Sequence, residues 1–284
     1  MKNAFTWAMI IIIPLLCAVS PGFAEERLLL MAGAAAQPVV EDLAKGFEAK
    51  TGIKVDTNIG GSGNLLSQMK LAKKGDVYFP GSVDFIEKAR EEDQILASTV
   101  TPIVYLVPAI NVQPGNPKQI TGLKDLCRPG IRVIIANPET VCLGVFAVEL
   151  VEKFFSPEEK KAFRGNIVNY AESCEKTASS IALKAADAVI GWSVFQYWNP
   201  KLIETVPLKP EEIVRLSYLA VAVTRYARNP ESAQKFIEYM KSPEGLGLFK
   251  KYRYFVTAEE ALAFVGKPKP VGGDCYQVPP DWMK

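Results

Sequence analysis

The sequence predicts an α/β protein of two lobes, each a mainly parallel sheet flanked by helices. Apolar strands alternate with amphipathic helices along the first part of the chain, and this alternation implies parallel strand pairing. The same alternation starts again after the Pro- and Gly-rich loop at residues 113–117. After the first 24 residues, about 260 remain, more than one hydrophobic core usually serves.

The N-terminal segment predicts export. Lys2 precedes an apolar run from Ala8 to Val19, which is too short for a comfortable membrane span, and the small residue Ala24 marks a cleavage site. We interpret residues 1–24 as a signal peptide and expect a periplasmic or otherwise exported protein. Removing Lys2, the only charged residue of this segment, from the 33 basic residues leaves 32 against 31 acidic ones, so the surface is not suited to nucleic acid.

Lobe 1 is expected at residues 25–106 and 217–284. Its predicted elements begin with a strand over 27–31 and a helix that starts at Val39, after Pro38. Strand 53–59, helix 65–73, strand 75–79 and helix 84–92 follow, and the return strand over 216–223 and helices over 230–240 and 243–252 complete the lobe. An irregular tail is expected after the last helix.

A glycine-rich junction connects the second strand to the next helix. Gly60, Gly61 and Gly63 surround Ser62, and the first amide groups of a helix carry partial positive charge and lack intrahelical partners. The junction therefore predicts an anion site, with a glycine-rich turn capped by Ser62 as the alternative. It lacks the Lys of a nucleotide-binding P-loop.

Lobe 2 is expected at residues 107–216. A strand over 104–110 leads into it, followed by a short helix over 123–127, a strand over 132–136 and a loop before the helix 145–154. Helices over 157–166 and 177–185 and a strand over 188–192 complete it. The chain would thus pass between the lobes twice, and two lobes joined in this way could close on a ligand.

The chain contains no histidine, which excludes catalytic triads that need imidazole and His-ligated zinc. Four cysteines remain after signal removal, an even number that allows up to two disulfides in an exported protein, with three possible pairings. Ser62 with Lys70 or Lys73 is a weak basis for catalysis, because these lysines fall on later turns of the helix. We therefore expect no enzyme activity. The four cysteines that remain after signal removal are Cys127, Cys142, Cys174 and Cys275.

Several short motifs, taken in order, resemble the molybdate- and tungstate-binding proteins of ABC importers. These motifs are residues 32–36, 47–55, 61–63, 75–79, 137–139 and 249–252. The resemblance covers the chain up to about residue 256. It implies a type II periplasmic-binding-protein fold, a tetrahedral oxyanion held between the lobes, a membrane permease as partner, a monomer and no resident cofactor.

The resemblance also implies ligand-binding positions. Ser62 matches the family, whereas Ala35 stands where a serine is usual and leaves only its backbone N–H. Leu143 and Cys174 fall where backbone N–H groups bind the ligand, and Trp192 falls on a tyrosine position. Glu139 is a third-ranked candidate for binding a metal or for expanding the coordination around tungsten.

The chain also resembles binding proteins and surface antigens for small organic or phosphorylated acids, at residues 123–126, 163–168 and 192–200. That resemblance implies the alternative ligand. Trp192, Phe195, Tyr197 and Trp198 would line a larger site, with core packing the simpler expectation for Phe195 and Tyr197. Cys142 and Cys174 flank the proposed ligand loops of lobe 2, so we expect a disulfide between them and a second one between Cys127 and Cys275.

Overall fold

A computed structural model describes residues 26–273 and 276–282. The predicted signal peptide and Cys275 lie outside these residues. The chain forms two five-stranded sheets flanked by helices, which confirms the predicted α/β class. The strands are β1 (Arg27–Gly33), β2 (Lys54–Gly60), β3 (Val77–Phe79), β4 (Thr101–Leu106), β5 (Pro108–Val112), β6 (Val133–Ala136), β7 (Ile167–Ala171), β8 (Ala188–Trp192), β9 (Glu204–Pro207) and β10 (Ser217–Val223).

Five of the ten α-helices of the described residues start at a side-chain cap. Ser156, Ser173, Asn229, Ser242 and Thr257 each accept a hydrogen bond from a backbone N–H of the following turn. The helices are α1 (Gln37–Thr51), α2 (Ser62–Ala72), α3 (Val83–Glu91), α4 (Cys142–Phe154), α5 (Pro157–Asn166), α6 (Cys174–Ala182), α7 (Phe195–Trp198), α8 (Pro230–Lys241), α9 (Pro243–Lys251) and α10 (Ala258–Val265).

Both sheets are mixed rather than mainly parallel. The first has the order β2-β1-β3-β10-β4, in which β1 is parallel to β2 and β3, and β10 is antiparallel to β3 and β4. The second has the order β7-β6-β8-β5-β9, with β5 antiparallel to both neighbours. The chain leaves the first sheet after β4 and returns to it at β10, and these two strands are antiparallel. It enters the second sheet at β5 and leaves it after β9, and these two strands are also antiparallel.

The prediction of one strand over residues 104–110 is wrong. The run is divided at Val107: β4 ends at Leu106 and pairs in the first sheet, whereas β5 begins at Pro108 and pairs in the second. The apolar pattern continues through the break because both halves are buried. This point is the first crossing between the lobes, and residues 208–216 make the second. We use lobe 1 and lobe 2 for the parts that carry the first and the second sheet.

The buried side chains form three clusters. The largest contains residues of both lobes, from Leu30 and Phe79 to Ile134 and Trp192, and so extends across the space between them. A second cluster lies in lobe 2 and includes Trp282 of the tail. The tail therefore packs on lobe 2. Helix α10 interrupts the segment that was expected to be irregular. Throughout the described residues, every helix is too short or too polar to cross a membrane.

Candidate functional site

The predicted junction at Ser62 forms as expected. Strand β2 ends at Gly60 and α2 starts at Ser62, with Gly61 extended between them. The Ser62 side chain is 2% exposed. Its Oγ accepts a hydrogen bond from the Gly81 N–H at 2.9 Å, and its carbonyl accepts one from the Tyr78 hydroxyl at 2.9 Å. The hydroxyl hydrogen of Ser62 remains available to donate to a ligand.

Lobe 2 contacts this junction directly. The Gly63 N–H donates to the Thr140 carbonyl at 2.9 Å, across the boundary between the lobes. A Cβ placed on Gly61 would lie 2.8 Å from the carbonyl oxygen of Glu172. The structure is therefore a closed form, in which the start of α2 lies against the loops that precede α4 and α6.

Gly81, in the loop after β3, is the point where residues from both lobes meet. A Cβ on Gly81 would lie 2.7 Å from the Cys142 sulfur, 3.0 Å from Ala35 Cβ and 3.5 Å from Ser62 Oγ. Only glycine leaves room for these three neighbours. Ala35 is fully buried, and its carbonyl accepts a hydrogen bond from the Tyr254 hydroxyl at 2.5 Å. We call Ala35, Ser62, Gly81, Cys142 and Cys174 the cleft cluster.

Two helices of lobe 2 begin at this cluster. Cys142 is the first residue of α4, with Leu143 next to it, and Cys174 is the first residue of α6. All three side chains are buried. The starts of α2, α4 and α6 thus converge, and the structure brings together four of the five predicted ligand positions. The first-turn N–H groups of Gly63, Gly144 and Lys176 donate within the protein, and the other first-turn N–H groups of these helices are potential hydrogen-bond donors to a ligand.

The predicted disulfide between Cys142 and Cys174 is absent, since both are free thiols. The neighbouring Cys174 thiol, together with burial, raises the pKa of Cys142 well above its usual value. Cys127 is also a free thiol, and it donates to the Glu159 carbonyl at 3.5 Å. Its predicted partner Cys275 lies outside the described residues.

Trp192 ends β8 and is fully buried. Its ring meets Phe146 edge to face, with centroids 5.1 Å apart, and its indole N–H finds no hydrogen-bond partner among the described residues. The nearby aromatic residues differ in burial, because Phe195 is in the core as expected whereas the Tyr197 side chain is 43% exposed. The core-packing expectation was therefore wrong for Tyr197.

A buried charged group that the sequence did not indicate lies beside the cleft. Arg215 Nη2 donates to Asp84 Oδ1 of lobe 1 at 2.8 Å, and its Nε donates to Glu149 Oε2 of lobe 2 at 2.9 Å. The guanidinium carbon lies 4.2 Å from the centroid of the Phe146 ring. We call Asp84, Glu149 and Arg215 the ion triad. Its members are far apart in the chain, and an arginine before an apolar strand was too common a pattern to reveal it.

The described residues contain no group of three or more acidic or Cys side chains placed to hold a metal ion. Glu139 lies on the wall of an open groove of about 840 Å³ between α3 and lobe 2. The metal hypothesis based on Glu139 is therefore not supported.

Comparisons with known proteins agree with this architecture. A putative binding protein of Haemophilus influenzae is 27% identical over 228 residues, which is 78% of this chain and 88% of that protein. The molybdate-binding protein ModA of Azotobacter vinelandii is 25% identical over 76% of this chain and 84% of its own length. The structure of PEB3 with L-phospholactate bound superposes with a TM-score of 0.65 at 24% identity, covering 80% of this chain and 99% of that one. PEB3 is from Campylobacter jejuni.

The family model for bacterial extracellular solute-binding proteins matches residues 28–254. This range includes β1 from its second residue, the other nine strands in full, both crossings and the whole cleft cluster. The chain belongs to the bacterial extracellular solute-binding protein family.

Proposed function

We propose that this protein is the exported solute-binding component of an ABC importer and captures a tetrahedral oxyanion of the molybdate or tungstate type between its lobes. The observation that carries the proposal is the convergence of the starts of α2, α4 and α6 at Gly81. These helix starts come from both lobes, so a ligand bound there would hold the lobes together.

The cleft cluster is uncharged, and this favours an anionic ligand. Each helix start contributes partial positive charge and N–H donors without placing a counter-charge that would itself need solvation. An anion could therefore leave water and keep its charge, because several hydrogen bonds to it would replace its hydration. Each such bond to a charged group contributes about 1.5–3 kcal/mol.

The oxyanion class is supported by the similarity to the molybdate-binding protein of A. vinelandii. Two positions weaken the donor set relative to that class. Ala35 offers no hydroxyl, and an indole at Trp192 only donates where a phenol would also accept. The Trp192 ring packs against Phe146, and the indole N–H of Trp192 has no hydrogen-bond partner among the described residues. This N–H could therefore donate to a ligand oxygen.

A small organic or phosphorylated acid is the alternative ligand. The unused Trp192 N–H favours it, because a solute larger than molybdate could reach a donor deeper in lobe 2. PEB3, which shares the fold, has been solved with L-phospholactate. A molybdate-type oxyanion and a phosphorylated acid would both present tetrahedrally arranged oxygens to the same helix starts, whereas the carboxylate of an organic acid is planar.

We infer that the protein is not an enzyme. The hydrogen-bond partner of Ser62 Oγ is a backbone N–H rather than a base. Lys70 Nζ pairs with Glu92 at 2.7 Å, and Lys73 Nζ donates to the Tyr226 hydroxyl at 3.1 Å. Neither lysine is thus available to activate Ser62. The permease partner and the monomeric state remain predictions.

Isothermal titration calorimetry and thermal shift would test the proposal, using the protein without its predicted signal peptide. The ligands are molybdate, tungstate, sulfate, phosphate and phospholactate. A ligand that binds only the native protein raises its Tm. Ser62→Ala should weaken binding about 10- to 100-fold through one lost bond to a charged ligand, whereas Ser67→Ala, on the exposed face of the same helix, should not.

A response to molybdate or tungstate alone would support the oxyanion class. A response confined to phospholactate would transfer the proposal to the alternative ligand. If none of the anions binds, or if Ser62→Ala binds as the native protein does, the cleft cluster is not the ligand site.

A further inference from the structure

A second pocket is lined in part by Tyr254, whose hydroxyl donates to the Ala35 carbonyl of the cleft cluster. It has a volume of about 460 Å³, within the range of small-molecule sites. Its lining comes from lobe 2, through Ser193, Tyr197 and Thr205, and from the segment after α9, through Arg253 and Phe255. We call it the hinge pocket, because it adjoins the first crossing.

Two backbone hydrogen bonds fix that position. The Ser193 N–H donates to the Val107 carbonyl at 2.9 Å, and the Tyr105 N–H donates to the Phe255 carbonyl at 2.7 Å. Val107 is the residue at which the chain passes between the sheets. The two walls of the hinge pocket are therefore attached to the two sides of the crossing.

The hinge pocket has one uncompensated positive charge. Lys250 Nζ lies 3.7 Å from Glu260 Oε1, so these two charges offset each other. Arg253 has no carboxylate within 4.0 Å among the described residues, and its guanidinium lies 5.9 Å from the Tyr197 ring centroid. A single free guanidinium suits a monoanion, and its planar donors match a carboxylate.

The walls around this charge are aromatic. The Phe255 and Phe264 rings lie 5.2 Å apart, and Phe264 and Tyr197 are 50% and 43% exposed. Such rings at a pocket mouth would be covered by a flat apolar group.

The buried end of the pocket has an unsatisfied polar group. Ser193 is 5% exposed, and its hydroxyl has no hydrogen-bond partner among the described residues. A buried hydroxyl without a partner is costly and uncommon in native structures, and a ligand's polar group would satisfy it.

We propose that the hinge pocket is a second ligand site, which binds a small aromatic carboxylate. Arg253 pairs with the carboxylate, the aromatic walls cover the ring, and Ser193 hydrogen-bonds a polar substituent at the buried end. None of the cleft-cluster residues lines the hinge pocket, so the two ligands would not compete for the same space. Tyr254 lines the hinge pocket, and its hydroxyl donates to the Ala35 carbonyl.

Calorimetry with 4-hydroxybenzoate as the probe tests this proposal. We expect one site per chain with Kd of about 1 mM or tighter, unchanged when molybdate or phospholactate is present. Arg253→Gln should weaken binding about 5-fold or more by removing the charge, and 4-hydroxybenzyl alcohol, which keeps the ring hydroxyl but has no charge, should bind as weakly to the native protein. Arg225→Gln, which removes an exposed arginine paired with Asp93, is the charge-matched control and should leave binding unchanged.

Ser193→Ala gives a second, independent readout. Since its hydroxyl has no partner within the part of the chain that the structure describes, the variant should keep the native Tm or exceed it, yet bind 4-hydroxybenzoate about 3-fold or more weakly. The proposal is overturned if 4-hydroxybenzoate does not bind at about 5 mM, if Arg253→Gln binds it as the native protein does, or if the cleft anion displaces it. None of these outcomes depends on which anion the cleft accepts.

Discussion

The cleft cluster and the ion triad are neighbours that both join the two lobes, and they handle buried charge in opposite ways. Gly81 lies in the loop just before α3, and Asp84 lies in the first turn of α3. Cys142 and Glu149 both lie on α4. The cleft cluster has no charged side chain and offers backbone and hydroxyl donors. The triad holds three ionisable groups that pair with one another. The comparison teaches that the lobes meet both through buried charges that pair with one another and through a neutral region, which is the proposed ligand site.

The triad is energetically costly because Asp84 and Arg215 are buried and the Glu149 side chain is only 12% exposed. Arg215 is 5% exposed, and its Nη1 lacks a hydrogen-bond partner among the described residues. Burial alone would lower the pKa of Arg215, but the two carboxylates raise it above the usual value. The guanidinium therefore stays charged, and its removal would leave two carboxylates without a counter-charge.

The largest effect is expected from Arg215→Met. Breaking a buried ion pair by removing one partner typically costs about 3–5 kcal/mol of unfolding free energy, which urea denaturation would measure. Arg225→Met is the control, because Arg225 pairs with Asp93 at the surface, where such pairs contribute less than about 1 kcal/mol. Equal losses in the two variants would mean that the triad is no more important than a surface pair.

A smaller effect, on binding more than on stability, is expected from Gly61→Ala. The backbone of Gly61, with φ −65° and ψ 134°, accepts alanine, but the added Cβ would lie 2.8 Å from the Glu172 carbonyl and 3.1 Å from that of Thr140. Closure would then cost about 1–3 kcal/mol, and ligand affinity should fall about 10- to 100-fold in calorimetry.

Gly165→Ala is the matched control, since a Cβ there meets no atom within 4 Å. It should leave affinity unchanged and slightly stabilise α5, because alanine favours a helix. Native affinity in Gly61→Ala would show that ligand binding does not require the lobe contact seen at this junction.

The sequence predicted the local features of the cleft better than its long-range ones. The junction at Ser62 was predicted because a strand, glycines and a helix follow one another in the chain. The triad was not, because Arg215 lies 131 residues from Asp84 and 66 from Glu149, and no local pattern records such pairing. The division at Val107 was missed for a related reason, since both halves of an apolar run are buried in different sheets.

The thiols illustrate a third limit of sequence reasoning. Export and an even number of cysteines favoured a disulfide between Cys142 and Cys174, and the structure does bring the two residues together. It holds them as free, buried thiols. Proximity was thus predictable from the two ligand loops, whereas the bond was not, because its formation depends on oxidation state as well as position.

The smallest effect is the change of stability with pH that arises from protonation of Glu149, and the Glu149→Gln variant measures it. Burial raises the pKa of Glu149 above its usual value, Asp84 adds to the rise, and Arg215 opposes it only in part. A carboxyl with a raised folded-state pKa contributes stability below its unfolded pKa, and this contribution is lost as pH rises through the folded pKa.

The Tm of the native protein minus that of Glu149→Gln should therefore fall by a few degrees between about pH 4 and pH 7. Glu91→Gln, which changes an exposed carboxylate of α3, controls for general effects of charge. A difference that rises with pH would show that Arg215 depresses the pKa of Glu149. The triad would then be a fully ionised group, and its contrast with the neutral cleft would be greater than burial implies.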